Sequence, residues 1–97
     1  MSMTYLELKN IVKPMIEKGE TKKAKEIIRK EIFNSSEAEK FLTDMVIQFS
    51  QKKNCFTQIA SKLRRKLWEE AIRIAENNKV SVIEWNLLAR RFGASVL

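Results

Sequence analysis

Apolar residues in this chain recur every three to four positions, and no stretch alternates apolar and polar long enough to read as a strand. Only two glycines and one proline interrupt 97 residues, so there is little material for long loops. Lys, Glu, Ile and Leu supply the rest, and these residues sit comfortably in helices. The pattern predicts an all-α fold: a single domain over residues 1–97, built as a compact bundle of about five helices around one long central helix.

The boundaries follow from caps and breaks. Thr4 and Glu7 have capping-box spacing, and Tyr5, Leu8, Val12 and Met15 then recur at helical spacing. Pro14 should kink or split this first helix, and Gly19 should end it. A second helix runs from about Lys22 to Phe33, with Ala24, Ile27, Ile28 and Ile32 inward. Ser36 and Glu39 repeat the capping-box spacing and open a third, reaching about Lys52 with Ala38, Phe41, Leu42, Met45 and Phe49 inward. The fourth is the long one, about Cys55 to Asn77. Phe56, Ala60, Leu63, Leu67, Ala71 and Ile74 form a near-heptad stripe along it, and Trp68, Ile72 and Ala75 add a second apolar side. Ser81 and Glu84 cap the fifth, Val80 and Trp85 sit where a hydrophobic staple would, and Gly93 closes it.

Two resemblances attach to the last third. "LARRFGAS" looks like the first helix and turn of a helix-turn-helix, but a recognition helix needs roughly two to three further turns. Only Ala94 to Leu97 follow Gly93, so a packed final helix with a Gly cap is the expected reading. Val80 to Gly93 resembles the closing loop and helix of a histone fold. That resemblance implies a long central helix before it, the part assigned to Cys55–Asn77.

Candidate chemistry is sparse. There is no histidine, which removes the commonest general base and metal ligand and every Ser-His or Cys-His nucleophile. No Gly-rich phosphate loop exists, and Glu69 and Glu70 are adjacent and diverge on a helix. The expectation is a protein that is not an enzyme, with no cofactor and no metal. Cys55 is the single cysteine and cannot form an internal disulfide, which suits a reducing, intracellular (cytoplasmic) setting. Lys52, Lys53 and a helix N-terminus would favour its thiolate, as a redox or cross-linking thiol, and the plain alternative is an ordinary small residue near a helix end. No apolar run approaches the ~18 residues of a membrane span, and "MSMTYLELKN" lacks the charged start and apolar centre of a signal peptide.

Charge is the informative feature. The net charge is +7, and Met45 to Trp68 contains no acid at all. Lys52, Lys53, Lys62, Arg64, Arg65 and Lys66 lie in that window, with Arg73 further along the same expected helix. Arg64, one turn before Trp68, is placed to stack on its indole. Lys22, Lys23, Lys25, Arg29 and Lys30 form a second patch diluted by Glu26 and Glu31, and Arg90 and Arg91 a third. These seven residues of the main patch are the candidate nucleic-acid contacts. They point to binding of DNA or RNA backbone phosphates with little base specificity. A solvated face serving solubility is the plain alternative. A helical interaction module, as adaptor, accessory subunit or homodimer, is the other, because Leu6, Val46, Ile47, Trp68, Ile72, Val96 and Leu97 cannot all face one small core.

Overall fold

The computed structural model describes residues 3–93, and among them there are helices and no strand. The all-α class is as expected, but the helices number six: α1 (Tyr5–Glu17), α2 (Thr21–Glu31), α3 (Ser35–Phe49), α4 (Lys53–Arg64), α5 (Trp68–Asn77) and α6 (Val82–Phe92). They group into two units that divide between Gln51 and Lys52, with α1–α3 in the first and α4–α6 in the second.

In the first unit each helix packs on the other two. Leu8, Val12 and Ile16 of α1, Ala24 and Ile28 of α2, and Ala38, Leu42, Met45 and Val46 of α3 are buried. The Thr4 cap forms as read: the Glu7 backbone N–H donates to Thr4 Oγ1 (3.1 Å) and the Thr4 N–H to Glu7 Oε1 (3.3 Å). Pro14 does not split α1. It faces solvent, as does Asn10, whose carbonyl it has no N–H to reach, while Val12 and Ile16 on either side are anchored in the core. The expected Ser36 cap is displaced upstream. Asn34, an equally good cap, accepts from the Glu37 N–H at 3.0 Å and starts α3 earlier. At the preceding junction α2 stops at Glu31 because Ile32 turns extended and stays buried, which throws Phe33 outward at 85% exposure. Phe49 ends α3 before Lys52 and carries the ammonium groups of Lys9 and Lys13 over its ring, at 5.3 and 4.9 Å.

The second unit contains the main departure from expectation. The long helix over residues 55–77 does not exist; it is two helices, α4 and α5, packed as a hairpin. The hinge is Lys66, with a left-handed φ of 61°. Its N–H bonds Leu63 O (3.0 Å) and the next N–H, of Leu67, bonds Lys62 O (2.9 Å). This pair of bonds is the Schellman ending, normally built on glycine. The same two bonds close α1 at Gly19 (φ 82°) and α5 at Lys79 (φ 53°). The apolar stripe hides the break, since a three-residue connection takes up about one helical turn and leaves its phase unchanged. With the long helix gone, the histone-like arrangement falls too.

α4 is nonetheless central within its unit, packing on both α5 and α6. Phe56, Ile59, Ala60 and Leu63 of α4, Ala71 and Ala75 of α5, and Leu87 and Leu88 of α6 are buried. Ser81 and Glu84 make the reciprocal cap at the start of α6. Val80 and Trp85 border one common hollow and are half-buried, not enclosed. At the far end of α6, a methyl on Gly93 would lie 2.6 Å from the Trp68 ring, so glycine is required there for close approach rather than for backbone freedom.

Candidate nucleic-acid interface

The charge belongs to the second unit. Residues 52–97 hold ten Lys and Arg against four Glu, so +6 of the net +7 resides there. Its helices distribute these cations differently from a straight basic helix.

Lys52 is withdrawn from the surface array. Its Nζ donates to the Lys79 carbonyl at 2.8 Å and lies 3.9 Å from the Glu84 carboxylate, whose side chain is 9% exposed. It ties the start of α4 to the α5–α6 turn, a fold contact rather than an open phosphate donor. Lys53, the first residue of α4, is exposed but stands at the opposite end of that helix from the elbow. Lys62 is half-buried and pairs with Glu70 of α5 at 3.5 Å across the hairpin, so its charge is partly answered. Arg73 is exposed on α5, which doubles back, and no longer continues the face of Lys62 to Lys66.

Three of the seven expected residues remain together at the elbow: Arg64, Arg65 and Lys66, all exposed. Arg64 does not stack on Trp68. Its guanidinium lies 4.4 Å from the centroid of Phe92, at the end of α6. Arg91 approaches the same ring at 5.4 Å. The ring therefore joins the C-terminal ends of α4 and α6, and a cation read in the sequence as part of a separate patch enters the cluster. Its signal was present only as the Arg90–Arg91 pair; nothing in the sequence tied it to Arg64. Among the described residues none of Arg64, Arg65, Lys66 and Arg91 has an ion-pair partner. Each helix end also presents carbonyl groups that favour cations nearby.

Two hollows flank this unit. One, about 640 Å³, lies between the end of α5 and the start of α6 and is lined by Ile72, Val80, Val82 and Trp85 among others. The other, about 350 Å³, sits at the elbow beside Lys66, Trp68, Glu69 and Glu70. Cys55 is buried, and that burial raises its thiol above the ordinary value, against the lowering effect of Lys52. Burial outweighs the neighbouring charge, which goes against an activated thiolate and with the plain alternative of an ordinary small residue near a helix end. Among the described residues no group of His, Cys, Asp and Glu is placed to hold a metal ion, and no helix is long and apolar enough to cross a membrane.

No protein-family model, curated protein or solved structure matches this chain. What the cluster can do is read from its chemistry alone. Exposed cations without ion-pair partners, contributed by two helix ends, attract a ligand with several negative charges. Glu69 and Glu70 line the hollow beside Lys66, and adjacent on a helix they diverge.

Proposed function

We propose that the second unit binds the phosphate backbone of a nucleic acid, with little base specificity and no catalytic step. One observation carries this reading: Arg64 and Arg91, from the ends of two helices, converge on Phe92, with the exposed Arg65 and Lys66 following Arg64 in the chain, and among the described residues none of the four has an acidic partner. A polyphosphate chain is the ligand whose charge spacing uses several such cations at once. Base stacking plays no part in it, because the Phe92 ring already carries guanidinium groups and Trp68 lies against Gly93. A reducing, intracellular setting accords with the single buried cysteine.

The test is a shift assay with duplex DNA, single-stranded DNA and RNA over a salt series. About four phosphate contacts give a slope of log K against log salt of roughly −3.5 on duplex DNA. Reversing Arg65 and Lys66 to Glu weakens binding on all sequences alike, since phosphate contacts carry no base information. Absence of binding by the parent at ~50 mM salt, or unchanged binding by the folded double variant, overturns the reading.

A second reading, a non-catalytic helical interaction module or homo-oligomer, is favoured by a different observation. Val82 is 77% exposed and Ile72 44% exposed on the rim of the α5–α6 hollow. Light scattering across a concentration series checks the self-association branch.

A further inference from the structure

Stacking on an aromatic ring uses the face of a guanidinium. Its five N–H donors lie in the plane and stay available at the edge. Arg64 and Arg91 are both exposed side chains that would otherwise sample many rotamers, and ordering such a side chain on binding lowers affinity. Both instead sit over the same half-buried ring, at 4.4 and 5.4 Å. The ring itself is held by its position as the last residue of α6, next to Gly93, which packs close against Trp68.

We propose that Phe92 is the positioning residue of the phosphate site, holding Arg64 and Arg91 as a preformed pair whose free edges take the oxygens of a backbone phosphate. This rests on the nucleic-acid reading and adds a specific requirement to it: the two positions need guanidinium and a ring, not merely positive charge. Lysine keeps the charge at either position but loses the planar stack and the bidentate fork. Phe92→Leu keeps the apolar volume but loses the ring face. Arg65 and Lys66, with no ring beneath them among the described residues, lack this requirement and lose less when one cation is exchanged for another.

The experiment compares the parent, F92L, R64K, R91K and R65K, the last an exchange at a cation without a ring, using a fluorescein-labelled duplex of fixed length. Circular dichroism first establishes that each variant is folded. Expected are affinity losses of about fivefold for F92L and for R64K, a smaller loss for R65K, and a salt slope unaltered throughout, because the number of cations is the same. In F92L, further exchange of Arg64 for Lys has less effect than in the parent, since the shared platform is already gone. Ring-current shifts of the Arg64 and Arg91 side-chain protons in the free protein, lost in F92L, report the stack independently of any ligand. Equal affinities for parent, F92L and R64K overturn the positioning role while leaving phosphate binding in place. A parent that binds no nucleic acid overturns the underlying reading, whatever the NMR shifts show. Should F92L fail to fold, R64K and R91K against R65K decide the matter by themselves.

Discussion

Replacing Lys66 by glycine asks whether the chain bends at this position. Lys66 has φ 61° at the α4–α5 elbow. A non-glycine residue in the left-handed region costs roughly 1–2 kcal/mol relative to its right-handed state. Glycine removes that cost but adds roughly 0.4–1 kcal/mol of unfolded-chain entropy. The difference is a stabilisation of about 0.5–1 kcal/mol, or a rise in Tm of about 3–6 °C for a chain of this size. A straight helix through the same position gives the opposite sign, since glycine in a helix interior costs about 0.8–1 kcal/mol. Two controls isolate the backbone effect. Lys66→Gln removes the charge without granting left-handed freedom, so the excess of Gly over Gln measures the conformational contribution. Gln58→Gly, at an exposed interior position of α4, should lower stability by nearly 1 kcal/mol. Urea melts followed by far-UV circular dichroism supply the midpoints, with an unchanged m-value confirming that stability alone has moved. A Lys66→Gly variant as destabilised as Gln58→Gly would refute the elbow and restore a continuous helix.

Other expectations follow from single contacts. Gly93→Ala places a methyl 2.6 Å from the Trp68 ring, which must shift, so a loss of about 1–3 kcal/mol is expected in the same melts. Lys52→Met removes the donor to the Lys79 carbonyl and should lower stability by about 1 kcal/mol, whereas Arg65→Gln should leave stability nearly unchanged and weaken polyanion binding more than Lys52→Met does. Cys55 should react slowly with a thiol reagent at neutral pH in the folded protein and readily in urea, because burial holds it protonated. Its folded pKa is raised, so its contribution to stability is complete below the ordinary thiol value of about 8.5 and is lost as pH rises above it; a pH series of melts with and without Cys55→Ala reads this directly.

Caps and faces were legible in the sequence because they depend on residues a few positions apart. The Thr4–Glu7 and Ser81–Glu84 pairs needed only their spacing, and the core residues Leu8, Val12, Ala24, Ile28, Phe56, Ala60 and Leu63 only their period. The elbow was not legible because lysine, a good helix former, occupies the position where glycine would have announced the turn. Its left-handed backbone is held by the two Schellman bonds and by the packing of α5 on α4, which no local pattern encodes. The candidate cations are regrouped at the same place. Arg64, Arg65 and Lys66 kept their neighbours, Arg73 was carried away by the reversal, and Arg91 arrived through a ring contact between residues 28 positions apart. Ala94 to Leu97, where the helix-turn-helix likeness ran out, lie outside the described residues.

The tryptophans and the tyrosine are segregated between the two units. Trp68 and Trp85, the only tryptophans, both belong to the second unit, and the only tyrosine, Tyr5, belongs to the first. Emission excited at the red edge of the absorption band, where tyrosine is silent, therefore watches α4–α6 and nothing else, while ellipticity averages over all six helices. Each unit has its own intrinsic chromophore without any label being added. The single-domain expectation becomes a matter of superposition: one cooperative transition makes the emission and ellipticity curves coincide, and separate melting pulls them apart.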